Sequence, residues 1–277
     1  MAFLSEPEPV RDRAEPVLTG VRRIVAANSG PMTYHGTNTY LIDTAGGTIV
    51  LDPGPDLPDH VAAIVGAAPR VIAILVSHRH PDHFGAAAAL RGATGAPIAA
   101  YPASGPGDVL TPDLPLAEGQ SFGPILPLHT PGHAADHLCF AYRTSDGERV
   151  LFSGDHVMSW SSSVVSPPGG NMRAYFASLE RLLGRDDTLY LPGHGPKLPD
   201  PHHLVRDLLA HRRAREAAIA ARLGDGAADT ATLTDALYAK QHPTLRRAAE
   251  RNVLAHLRKL EEEGRVAQLG AKWKLAG

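Results

Sequence analysis

The sequence predicts an α/β body followed by a small, mainly helical domain that ends in a wing. Three observations carry this. Short apolar runs such as Thr48–Leu51 and Val71–Val76 read as strands and end, one after another, at a histidine or aspartate. Helical runs lie between them, as in folds whose active sites gather at the ends of strands. Beyond Pro201 both charge and periodicity change. Residues 1–202 carry 13 Lys+Arg against 20 Asp+Glu, whereas residues 203–277 carry 14 against 9. A basic module beside an acidic body is one footprint of nucleic-acid binding, and solvated helix faces give the same balance.

A chain of 277 residues can bury one large core and a second, smaller one. Its single cysteine, Cys139, lies inside the apolar run Leu138–Tyr142. It cannot form an intrachain disulfide, which implies a reducing compartment. No apolar run approaches the roughly 20 residues that cross a bilayer, and the N-terminus is acidic and proline-bearing. The expectation is a soluble, cytoplasmic protein with no membrane partner.

In chain order, residues 1–16 hold Pro7 and Pro9 without a period and read as a loose arm. The catalytic body is expected over 17–202, and a linker helix with a winged-helix-like domain over 203–277. Val21–Ala26, Thr39–Asp43 and Thr48–Leu51 read as strands. The polar loop 28–38 can overhang a site, which makes Tyr34, His35 and Asn38 candidate substrate contacts; turn-forming and merely exposed roles are the alternative. A helix over His60–Gly66 precedes the strand Val71–Val76. Pro97–Ala100 is a short buried strand, and the prolines of Pro102–Glu118 predict a loop around the sheet. Gly123–His129, Leu138–Tyr142, Val150–Phe152 and Tyr190–Leu191 continue the strands. The Ser-, Pro- and Gly-rich stretch Val157–Gly170 reads as a wall of the mouth, with Ser162 a candidate substrate contact, and a helix follows over Met172–Leu183.

The densest chemistry is Ser77-His78-Arg79-His80-Pro81-Asp82-His83, where a strand passes into the helical run Phe84–Leu90. Side chains two apart on extended backbone share a face, so His78 and His80 can reach one ion while Asp82 and His83 point towards a second. Imidazole and carboxylate without sulfur suit zinc first, with iron or manganese as alternatives. The bland alternative is a helix N-terminus capped by Asp82 with surface histidines. Three imidazoles within six residues argue against it.

The cluster has the form HxHxDH. Leu51-Asp52-Pro53-Gly54, Thr130-Pro131-Gly132-His133, Phe152-Ser153-Gly154-Asp155 and Leu191-Pro192-Gly193-His194-Gly195 complete a set that resembles the metallo-β-lactamase superfamily. The resemblance implies an αββα sandwich with His78, His80 and His133 on one metal, Asp82, His83 and His194 on the other, and Asp155 bridging. It implies two Zn2+ ions about 3.5–4 Å apart and a bridging hydroxide that performs hydrolysis. Asp82 and Asp155 would be the catalytic carboxylates, with Asp82 nearest for relaying a proton. Asp52 would orient ligands from behind, or be a turn aspartate before Pro-Gly.

His203–Leu223 reads as a long amphipathic helix, with His202, His203 and His211 on its surface. Thr232 and Asp235 suggest a capped helix to about Lys240, Leu245–Glu263 a second helix, and Val266–Ala267 with Trp273–Leu275 a hairpin. This tail resembles that of the β-lactamase-like-protein-2 group, whose members include a single-strand-specific endoribonuclease. Single-stranded RNA is therefore the substrate the resemblance implies, with phosphate contacts that weaken as salt rises. Three departures narrow the alternatives. Asp155 stands where the best-known β-lactamases use cysteine, His80 stands where flavin-linked di-iron reductases use glutamate, and the Asp155–His194 segment is too short for the domain inserted in larger nucleases. A thioesterase of the glyoxalase II type shares all seven ligands, so small esters, thioesters or lactones are the alternative substrates. A non-enzymatic winged-helix nucleic-acid binder is disfavoured by the complete ligand set, and no obligate protein partner is implied.

Overall fold

The computed structural model describes residues 2–102, 109–239 and 242–276. The first half contains β1 (Glu15–Leu18), β2 (Val21–Val25), β3 (Asn38–Thr44), β4 (Gly47–Leu51), α1 (Pro58–Ala67), β5 (Val71–Leu75), α2 (Pro81–Phe84), α3 (Ala87–Thr94), β6 (Ile98–Ala100) and β7 (Leu114–Pro115). The second holds β8 (Ile125–His129), β9 (Leu138–Arg143), β10 (Arg149–Gly154), α4 (Met172–Leu183), β11 (Leu189–Pro192) and β12 (Leu198–Pro199). Among the described residues these strands form a seven-stranded sheet in chain order and a five-stranded sheet ordered β12-β11-β10-β9-β8.

Alternation along the strands dictates the layers. Ile49 and Leu51 of β4, with Tyr40 and Ile42 of β3, meet Leu138, Phe140, Val150 and Phe152 of the second sheet. The intervening Leu41 and Val50 face the other way, onto Ile64 of α1 and Leu90 of α3. On the far side Ala141, Leu151 and Tyr190 meet Tyr175 and Leu179 of α4 and Leu204 and Leu208 of α5 (Pro201–Gly224). The result is the αββα sandwich. Each fully buried apolar side chain contributes about 1.5–3 kcal/mol to it. Cys139 is one of the buried residues of that outer layer.

The long helix α5 belongs to two cores. Its first turns pack on the catalytic body, whereas Ile219 and Leu223 pack with Leu233, Val253, Leu257 and Trp273 of the tail. That tail comprises β13 (Ala228–Asp229), α6 (Thr230–Leu237), α7 (Arg246–Glu262), β14 (Val266–Leu269) and β15 (Lys272–Leu275), its strands ordered β13-β15-β14. Helix α7 also reaches back: Ala255 lies in the core cluster of the catalytic body.

Three expectations need correction. The N-terminal arm has no helix or strand over residues 2–14, yet it is not loose. Glu6 accepts two hydrogen bonds of 3.0 Å from Arg23, whose buried guanidinium requires a carboxylate, and Leu4 N–H donates to Ser159 O at 2.9 Å. The helical run Phe84–Leu90 is broken into α2 and α3. At the break a Cβ on Gly85 would stand 2.5 Å from Pro81 O and 3.0 Å from Asp56 N, so glycine lets the turn press against the 54–56 loop. Helix α6 starts earlier than expected, because Asp229 caps it by accepting from Thr232 N–H at 2.7 Å. Residues 103–108 of the expected proline-rich loop, and Lys240 at the expected helix end, lie outside the described residues.

Candidate metal centre

Five strand ends converge on one edge of the sandwich. Asp52 follows β4, His78 follows β5, His133 follows β8, Asp155 follows β10 and His194 follows β11. The parallel pairs β4–β5 and β10–β11 place these ends side by side. The turn carrying His194 crosses directly over the centre. A Cβ on Gly193 would lie 2.6 Å from His83 Cε1 and 2.7 Å from Asp155 Oδ1, so only glycine fits there.

Two groups of donor atoms face each other. His78 Nε2 and His133 Nε2 stand 3.0 and 2.9 Å from His80 Nδ1. On the opposite side His194 Nε2 stands 3.2 Å from His83 Nε2 and 3.2 Å from Asp82 Oδ2. Asp155 lies between them, with Oδ2 3.6 Å from His133 Nε2 and Oδ1 3.4 and 3.5 Å from His83 and His194. Donors about 2.0–2.1 Å from a tetrahedral ion are spaced much as these are.

The hydrogen bonds behind the rings set which nitrogen is free. Asp52 accepts from Ser77 N–H and Ser77 Oγ at 2.7 Å each and from His83 Nδ1 at 2.9 Å. With its proton committed to Asp52, Ser77 Oγ accepts from His78 Nδ1 at 3.0 Å. His133 Nδ1 donates to Val164 O at 2.6 Å and His194 Nδ1 to Gly36 O at 3.3 Å. In all four rings Nδ1 is engaged behind the centre, which turns Nε2 into it.

Electrostatics divides the centre. At the His78–His80 end burial lowers both imidazoles, assisted by the neighbouring histidines, His80 to about 4. Burial also opposes charge on His83 and His194, but Asp155 and the other carboxylates outweigh it. His83 is raised well above the ordinary histidine value and His194 to about 9. Burial works against the carboxylates too, yet His83 and His194 hold Asp82 down at about 2 and Asp155 well below its ordinary range. Asp155 Oδ1 is nevertheless buried without a hydrogen bond among the described residues. A buried anion so placed between the inward-facing Nε2 atoms of these rings fits a bound divalent cation, which would displace their protons.

A cavity of 470 Å³ opens onto His80, Asp82, His133 and Asp155. Its walls include Met32, Val164, Pro167 and, from α7, Arg251. The sequence-derived substrate contacts fare differently. Asn38 is turned into the body, donating to Pro192 O and Gly195 O at 2.9 Å each, and so anchors the His194 turn. Tyr34 and His35 hold the arm through Glu6 and do not line this cavity; Met32, in the same loop, does. Ser162 lines an adjoining cavity. Sequence reasoning missed His137, whose Nε2 accepts from Asp155 N–H at 3.2 Å while its Nδ1 meets Thr130 Oγ1 at 2.9 Å. Its position four residues after His133 was the available signal.

The fold and this centre define a hydrolase class. The family model for the metallo-beta-lactamase superfamily matches residues 32–194, and the chain belongs to that superfamily. A second model, the beta-lactamase associated winged helix domain, matches residues 230–273. The Drosophila melanogaster beta-lactamase-like protein 2 homolog is 29% identical over 271 residues, 90% of each chain. An atrochrysone carboxyl ACP thioesterase of Aspergillus chevalieri is 32% identical over 204 residues; the match covers 71% of this chain and 63% of that protein's length. A metallo-beta-lactamase family protein from Thermus thermophilus superposes with a TM-score of 0.77 at 24% identity, over 94% of this chain and 100% of that one. The protein is accordingly a metallo-β-lactamase-fold hydrolase carrying a winged-helix domain. Among the described residues no helix is long and apolar enough to cross a membrane.

Proposed function

We propose that this hydrolase cleaves thioester or ester bonds of acyl substrates, using two zinc ions, with iron or manganese as alternatives. His78, His80 and His133 would hold one ion and Asp82, His83 and His194 the other, with Asp155 serving both. When bound, such ions supply Lewis acidity that polarises a scissile carbonyl and acidifies water. The protein's own groups do the rest. Asp52, Ser77 and the carbonyls of Val164 and Gly36 fix the rings before substrate arrives. The Asp82 side chain is the more exposed of the two carboxylates, 30% against 9% for Asp155, and it would orient the attacking water and take its proton. Water adds to the carbonyl carbon, the C–S or C–O bond breaks, and the leaving group receives that proton.

The observation that carries this reading over a nucleic-acid substrate is the employment of α7 and its cations. In a DNA-binding winged helix the second helix is free to dock; here Asn252 accepts from Val165 N–H at 2.9 Å and Ala255 is buried against the body. Lys259 and Arg265 each meet Glu216 at 2.8 Å, Arg246 meets Asp235 at 2.7 Å and Arg258 meets Glu261 at 2.9 Å. Those cations are paired with carboxylates of α5 and of the tail itself. Single-stranded RNA stays the second reading because Arg251 does line the metal cavity. The thioesterase name of one relative and the lone, buried Cys139 support an acyl hydrolase of a reducing, cytoplasmic compartment. Metal-loaded full-length protein is expected to hydrolyse acyl thioesters and to leave single-stranded RNA intact at low salt. RNA cleavage with no turnover of any thioester would reverse the order of the two readings.

A further inference from the structure

A second cavity, of 270 Å³, adjoins the metal cavity, and Met32 and Val164 line both. It lies among the 157–164 stretch, the start of α7 and the middle of α5. Apolar groups dominate it: Phe3, Met158, Trp160, Tyr238 and Leu245. Into this surface the chain builds polar groups that it does not satisfy. Trp160 Nε1, Arg212 Nε and Arg215 Nε are each buried without a hydrogen-bond partner among the described residues, and all three residues line the cavity. Each of these atoms can only donate. His211 Nδ1 is in the same state.

The two arginines are held rigidly by their other nitrogens. Arg212, 1% exposed, donates to Ser163 O and to Asn252 Oδ1. Arg215 donates to Leu237 O at 2.8 Å, with its guanidinium 4.1 Å from the Tyr238 ring centroid. Buried donors without acceptors cost free energy that a ligand's oxygens can recover, and apolar rings beside them call for a flat body. The volume falls just below that of pockets for drug-sized ligands.

We infer that this cavity is the acyl-recognition chamber of the enzyme and takes an aromatic acyl group bearing acceptor oxygens, such as phenolate or carbonyl. The inference rests on the acyl-hydrolase reading for its catalytic meaning. The chamber would take the part of the substrate that ends there, and the leaving group would depart past the partly exposed Asp82 side chain. Trp160 and the arginines act as binding groups and touch no reacting atom.

The test uses metal-loaded full-length protein. Salicyl, hexanoyl and acetyl thioesters of N-acetylcysteamine are compared for kcat/KM, and free salicylate is titrated while tryptophan fluorescence is followed. The sequence has one other tryptophan, Trp273, which is buried in the tail core, so quenching that disappears in Trp160→Phe reports on this cavity. The salicyl thioester is expected to be preferred roughly tenfold or more, and Trp160→Phe to raise its KM with kcat nearly unchanged. Ala248→Phe, which fills the chamber from α7 without removing a donor, is expected to impair the salicyl thioester while sparing the acetyl thioester. Salicylate binding that both variants weaken, without thioester turnover, would uphold the chamber and defeat the acyl-hydrolase reading. Thioester turnover with no preference for the hydroxyaryl group, and no quenching lost in Trp160→Phe, would overturn the chamber.

Discussion

Asp52 concentrates three hydrogen bonds on one buried carboxylate, and two of the inward-facing rings depend on it. It accepts from His83 directly and, through Ser77 Oγ, fixes His78. Asp52→Ala is expected to lower zinc affinity by roughly 10–100-fold in a protein that still folds. Competition with a chelating dye measures this, and an unchanged affinity would remove Asp52 from the account. The imidazoles carry a pH consequence. His83 and His194 are raised, the latter to about 9, so both hold a proton at neutral pH when metal is absent. Metal must displace those protons, so apparent affinity falls as pH falls, and zinc uptake near pH 7.5 should release about one to two protons into weakly buffered solution. Uptake without proton release would contradict the assigned charges. At this scale the ligand candidates were legible because HxHxDH is a local signal. The partners behind them were less so: Ser77 meets Asp52 across 25 positions, a pairing that only the fold creates.

Strand ends were legible as elements, since each apolar run stopping at a His or Asp proved to deliver that residue to the same edge. The break between α2 and α3 was not, because an alanine-rich stretch has helical propensity throughout and the kink comes from the tertiary approach of the 54–56 loop to Gly85. Nor could helical periodicity show that α7 serves two cores. Asn252 makes that junction: its Oδ1 accepts from Val165 N–H at 2.9 Å and from Arg212 at 3.2 Å. Asn252→Ala would leave a buried amide and a buried guanidinium short of a partner. The expected cost is about 1.5–3 kcal/mol, seen as a lower midpoint in urea at unchanged slope. A midpoint equal to that of the unaltered protein would mean that α7 rests on the body without being held by it.

The molecule as a whole places a metal-suited edge beneath a wall made by its own tail. Net charge along the sequence revealed that the tail is basic, and it is the ion pairs to Glu216, Asp235 and Glu261 that make this basic surface less available to phosphate than its composition implies. The central claim is that seven side chains from both halves of the sandwich form one two-metal centre. Metal analysis of full-length protein purified without chelator tests it most directly, with Asp155→Ala alongside, since among the described residues that carboxylate faces both groups of donors. The expected result is about two equivalents of zinc, iron or manganese per chain, most of it lost in Asp155→Ala together with hydrolysis. Full hydrolytic activity in protein shown to be free of metal would contradict the account.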